Sequence, residues 1–119
     1  MKKPSEIQRI VRLKIHKGKL KEFKRLATEA MEITRTKDSG TLKYEWYFNS
    51  GNTECLIIER YRNSQAFLEH YEHLRDTVMA ILQTCSSSGE ICGMASPKLT
   101  KLMAFKGSPF QIYLPFQSM

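Results

Sequence analysis

A chain of 119 residues and 13.8 kDa is the size of one ordinary domain, which excludes a multidomain organisation. Apolar residues at 41% and charged residues at 26% describe a globular chain, and no run approaches the roughly 18 apolar residues of a membrane span. The charge balance of +7 leaves a basic surface to explain.

The N-terminus, Met1-Lys2-Lys3-Pro4-Ser5-Glu6, has no apolar run behind its lysines and does not read as a secretion signal. Residues Glu6 to His16 alternate, with Val11, Leu13 and Ile15 on one side and Ile10, Arg12 and Lys14 on the other, the period of a two-faced strand. After Lys17-Gly18-Lys19 the period changes. Leu20, Phe23, Ala27, Ala30 and Thr34 recur at helical spacing, and Leu26, Met31 and Ile33 widen the stripe. Asp38-Ser39-Gly40 is a stop signal, with Gly40 suited to a left-handed position past a helix end.

Thr41 to Phe48 places Leu42, Tyr44, Trp46 and Phe48 on one face of a second strand. The turn chemistry of Asn49-Ser50-Gly51-Asn52 then leads into a return strand from Thr53 to Tyr61. Asn63 or Ser64 caps a second helix carrying Phe67, Tyr71, Leu74, Val78 and Ile81, running to about Thr84 with a break near His73. Cys85-Ser86-Ser87-Ser88-Gly89 reads as the end of that helix. Glu90 to Ala95 reads as a short strand, Pro97 to Phe105 as one or two helical turns, and Phe110 to Phe116 as a last strand.

The order β-α-β-β-α-β, with a further short helix and C-terminal strand, predicts an α+β ferredoxin-like plait with an antiparallel sheet and both helices on one face. One domain spans 1–119, its core at about 6–95 and a C-terminal extension at about 96–119. Trp46, Tyr44, Leu56 and Ile58 cannot all lie on the helix-covered face, so the open face needs a cover. A second copy of the chain, packed sheet to sheet as a homodimer, is the expected cover, and exchange of the last strand between subunits is a further expectation.

Lys17-Gly18-Lys19 followed by Phe23, then Gly40-Thr41-Leu42-Lys43-Tyr44-Glu45, then Glu59-Arg60-Tyr61 leading through Ala66-Phe67 to His70, resembles the antibiotic biosynthesis monooxygenase (ABM) family of dimeric α+β barrels. The resemblance covers about residues 6–75. It implies a pocket between sheet and helices, with the second-helix histidine, His70, as catalytic base and Tyr44, Trp46, Glu59 and Phe67 as substrate-binding residues. The activity it implies is a cofactor-independent monooxygenation of an aromatic or quinol-type small molecule. An imidazole takes a phenolic proton near neutral pH, and the scheme calls for neither metal nor flavin. The alternative is a non-catalytic dimer of the same fold that binds or senses a small ligand. A haem-handling protein is a distant third, because the resemblance to that branch requires an asparagine that Ile7 to Ile15 lacks.

Other readings fall away on the residues. His70-x-x-His73 puts two imidazoles on one helical face, but no third metal ligand is apparent. Glu59, if buried, needs a partner, with Arg12 and Arg60 as candidates. The basic first helix carries Glu22, Glu29 and Glu32, and the strand before Tyr61 is aliphatic, so neither resembles a nucleic-acid interface. Cys55, Cys85 and Cys92 show no C-x-x-C spacing, which points to a reducing, cytoplasmic setting without disulfides or a zinc site.

Overall fold

The computed structural model describes residues 5–119, so the first four residues of the N-terminal stretch read above lie outside it. Strand β1 (Ile7–Ile15), helix α1 (Leu20–Lys37), the hairpin β2 (Thr41–Phe48) and β3 (Glu54–Tyr61), helix α2 (Ser64–Ile81) and strand β4 (Cys85–Cys92) form the plait. Helix α3 (Pro97–Met103) and strand β5 (Phe110–Tyr113) follow. The sheet runs β2-β3-β1-β4-β5, antiparallel except where β5 lies parallel to β4.

Both long helices cover one sheet face because their apolar stripes can be buried only there. Helix α1 buries Phe23, Leu26, Ala30 and Thr34, and α2 buries Phe67, His70, Leu74 and Ile81 among others. Asn63 caps α2, its side chain accepting from the Ala66 N–H at 2.9 Å. That helix runs unbroken past His73 to Ile81. The core divides into a cluster around Val11, Leu13, Ile57 and Leu74 and another around Ile7, Tyr61, Phe67 and Ile91.

Tyr44 and Trp46 pack on the helix face. Leu56 and Ile58 alternate out of phase with buried Cys55, Ile57 and Glu59, so they take the opposite face with Ile10. Leu42 departs from the expectation. A register shift between Thr41 and Lys43 takes it out of alternation with Tyr44, and it stands half-exposed.

The segment Cys85–Gly89 also differs from the reading above, being the first half of β4 rather than a helix end. Its inward positions include Ser87 and Gly89, too small to give a legible apolar alternation. They fit because β4 lies close to β1: a Cβ on Gly89 would collide with the Ile10 carbonyl. Gly40 is not left-handed. It is required by close packing, since a Cβ there would run into Ala66 at the start of α2.

Pro97 opens α3, capped by the Ser96 hydroxyl, which accepts from the Leu99 N–H at 3.2 Å. Strand β5 ends at Tyr113, short of Phe116, and pairs with β4 of its own chain, Phe110 opposite Gly89 and Ile112 opposite Ile91. Leu114 and Phe116 continue the alternation but stand exposed.

Candidate active site

Between the sheet and α2 lies a cavity of about 240 Å³. The structure brings all five sequence-predicted residues, His70, Tyr44, Trp46, Glu59 and Phe67, to its wall. The registers explain this. Tyr44 faces Glu59 across β2 and β3, Glu59 faces Arg9 across β3 and β1, and all three side chains project toward the helices. Helix α2 then lays Phe67 and His70, three residues apart, over them.

His70 is 3% exposed, and its ring packs edge-on against Tyr44 with centroids 4.9 Å apart and tilts against Tyr61 at 5.2 Å. Its Nδ1 lies 2.6 Å from Oδ2 of Asp38, the residue that ends α1. The other carboxylate oxygen, Oδ1, lies 2.6 Å from Nδ1 of His73. Burial works against the charge of Asp38, but hydrogen bonds from His70, Thr41 and His73 outweigh it and hold the carboxyl at about 2. Asp38 is therefore a carboxylate at neutral pH and can only accept. Both imidazoles donate from Nδ1, and in neutral His70 the lone pair falls on Nε2, the nitrogen left for the cavity.

A second polar group stands beside the first. Arg9 meets Glu59 through two contacts of 3.2 Å, Nε to Oε1 and Nη2 to Oε2, and the Tyr61 hydroxyl donates to Oε1 of the same carboxylate. The Arg9 guanidinium lies between the Phe67 and Phe110 rings, 5.0 and 5.2 Å from their centroids. Burial first, then the negative charge of Glu59, pushes Tyr61 well above the ordinary phenol range. The same causes raise Tyr44, so both hydroxyls stay protonated.

The partner of Glu59 is thus Arg9, not Arg12 or Arg60. Arg12 projects from the opposite sheet face and pairs with Glu90 at 2.8 Å, and Arg60 lies 4.0 Å from Glu6. An alternating strand sends Arg9 and Arg12 to opposite faces, so parity could have selected Arg9 from the sequence. Asp38 was legible only as a helix stop. No spacing signal links it to His70, which lies 32 residues away.

Asp38, Glu69 and His73 bring ligand-capable atoms within 4.8 Å of one another. Hydrogen bonds account for this grouping: both Asp38 oxygens accept from imidazoles, and Glu69 Oε1 accepts from the N–H and hydroxyl of Ser39 at 3.0 Å each.

The plait thus sets a histidine–carboxylate pair, residue types capable of proton transfer, at the wall of an apolar cavity. The antibiotic biosynthesis monooxygenase family model matches residues 7–75, and the chain belongs to that family. By sequence alone no curated protein matches the chain.

Among solved structures, MupZ from Pseudomonas fluorescens is similar over 100% of this chain and 91% of its own, with 21% identity and a TM-score of 0.83. SnoaB, a cofactor-independent oxygenase from Streptomyces nogalater, is similar over 77% of this chain and 95% of its own, at 13% identity and a TM-score of 0.66. Rv0793 from Mycobacterium tuberculosis matches over 77% and 97% respectively, at 19% identity and a TM-score of 0.68. At these identities the likeness is one of fold. The MupZ match extends through residues 96–119, which the family model does not reach.

Proposed function

We propose that this protein is a cofactor-independent monooxygenase of an aromatic or quinol-type small molecule, with His70 as its base. The observation that carries the reading is the 2.6 Å contact between Asp38 and His70 at the wall of an apolar cavity. Nε2 takes the phenolic proton, and the Asp38 carboxylate stabilises the imidazolium that forms. The electron-rich phenolate then reacts with dioxygen. A C–O bond forms at the ring carbon para to the phenolate oxygen and the O–O bond breaks. One oxygen atom stays on that carbon as a carbonyl, and the other leaves as water with that carbon's hydrogen and the proton held on Nε2, so the ring is oxidised to a quinone, dioxygen is reduced and His70 is restored. Membership of the family, and the likeness in fold to an oxygenase that works without a cofactor, support this choice of chemistry.

Tyr44, Trp46 and Phe67 orient the flat head of the substrate, and the Arg9–Glu59–Tyr61 group gives the wall a fixed polar edge. The working unit is a homodimer packed through the outer sheet face, where Ile10, Leu56 and Ile58 are only half-buried in the single chain. The three cysteines are unpaired in the structure and suit a reducing cytoplasm. No helix among the described residues is long and apolar enough to cross a membrane.

Oxygen uptake by metal-stripped protein, with a panel of quinols and polycyclic phenols, tests the activity, with His70→Ala run beside the wild type. Turnover lost with the substitution is the expected result. Turnover untouched by it would remove His70 as the base, and no uptake with any compound would favour a ligand-binding dimer. Light scattering tests the dimer, and a monomer would refute it.

A further inference from the structure

The cavity is polar at one end and aliphatic at the other, and the order of residues along three elements fixes this. Along α2 and its C-cap, Phe67 and His70 give way to Leu74, Val78 and Leu82, a span of about 22 Å at helical rise. On β1 the inward sequence is Arg9, Val11, Leu13. On antiparallel β3 the matching sequence is Glu59 opposite Arg9, then Ile57 opposite Val11. Every charged group of the lining therefore lies at the Phe67–His70 end, and the other end is walled mainly by aliphatic side chains, with Trp46 opposite Ile57 and Ser87 opposite Leu13.

Exposure runs the same way. Glu59 and His70 are 1% and 3% exposed, whereas Met79 and Leu82, near the end of α2, are 59% and 39% exposed. Phe105, 58% exposed, adds an aromatic side chain from the extension to the same lining. We take the more exposed, aliphatic end as the entrance, with the acid–base groups at the buried one.

We propose that the substrate is an amphiphile: a compact phenolic head reaches His70, and an aliphatic tail extends from it along Leu74, Val78 and Leu13 toward Met79 and Leu82. This rests on His70 being the reacting end, as proposed above, and adds to it the class of molecule. A polycyclic substrate that is flat throughout would set rigid rings against the branched aliphatic walls of the outer half. A flexible chain exchanges water for those walls along its whole length.

The test uses Trp46, the single tryptophan of the chain and part of the cavity wall, as a fluorescence reporter of binding. Titrations without oxygen would compare 4-alkylcatechols from methyl to octyl and, separately, 1-alkanols from butanol to decanol. Affinity should rise by about fourfold per methylene in both series until the tail reaches the entrance. Val78→Phe, which fills the aliphatic end without adding a second tryptophan, should abolish that increment, with Ile81→Phe as a second blocking variant and circular dichroism confirming the fold of each.

A wild-type affinity that does not change with chain length in either series would overturn the proposal. So would an undiminished increment in a folded blocking variant. Chain-length dependence in the alkanols without oxygen uptake on any quinol would leave the tail site standing and refute the oxygenase reading.

Discussion

Oδ2 of Asp38 lies 2.6 Å from Nδ1 of His70, joining the end of α1 to the middle of α2 at the wall of the cavity. An ionised carboxylate at this spot selects the tautomer of His70 that leaves Nε2 free to accept a proton. An asparagine can present its amide N–H to Nδ1 instead, which moves the ring proton to Nε2. Asp38→Asn is therefore expected to lower kcat by about 10²–10⁴-fold on any substrate that His70 deprotonates. Oxygen-uptake kinetics, with circular dichroism as a control for folding, would check it. Activity within about twofold of wild type would show that Asp38 does not set the state of His70.

The same carboxylate makes stability depend on pH. Folding lowers the Asp38 pKa to about 2 from the ordinary aspartate value of about 3.9. The folded state therefore gains stability from this group above pH ~4 and loses it as the pH falls toward 2. Thermal unfolding from pH 7 to pH 2 should show wild type well above Asp38→Asn at neutral pH, with the difference shrinking below pH ~4. A difference that stays constant across this range would mean that the charge of Asp38 contributes nothing.

The Arg9–Glu59 pair is buried, with side-chain exposures of 13% and 1%. Glu59→Leu leaves the Arg9 charge and the Tyr61 hydroxyl without their acceptor, and should cost about 3–5 kcal/mol in urea unfolding. Adding Arg9→Met should recover much of that loss, because replacing both charges by apolar groups removes the unpaired cation. A double variant no more stable than Glu59→Leu would mean that the loss comes from packing rather than from the stranded charge.

Gly89 tests the close approach of β4 to β1. Alanine there would set its Cβ against the Ile10 carbonyl, and relieving the collision must move one strand. Gly89→Ala should lower stability by about 1–3 kcal/mol, whereas Gly51→Ala, in the open turn of the hairpin, should change it by well under about 1 kcal/mol. Equal effects at the two positions would refute the tight contact.

The plait was legible in the sequence because its elements repeat on scales of two to four residues. Alternation around Val11 and Leu13, the helical recurrence through Phe23, Ala30 and Thr34, and the Asn49–Asn52 turn are all local, and each sends its apolar side chains to one face whatever the rest of the chain does. Tyr44, Trp46, Glu59, Phe67 and His70 were singled out by the family resemblance rather than by periodicity, and the structure sets all five along one cavity wall. Local alternation failed for Leu42, where a register shift interrupts it, and for Cys85–Gly89, where small side chains hide a strand whose inward residues need almost no room.

Other features depend on distances that no spacing along the chain encodes. Asp38 reaches His70 across 32 residues, and Arg9 reaches Glu59 across 50, because helix packing and strand pairing bring them together. The polarity of the cavity likewise follows from the antiparallel register of β1 and β3, which sets Arg9 against Glu59 and Val11 against Ile57. Periodicity along the chain determined which residues face inward. Tertiary packing decided which of them touch, and so which histidine holds a carboxylate at the cavity wall.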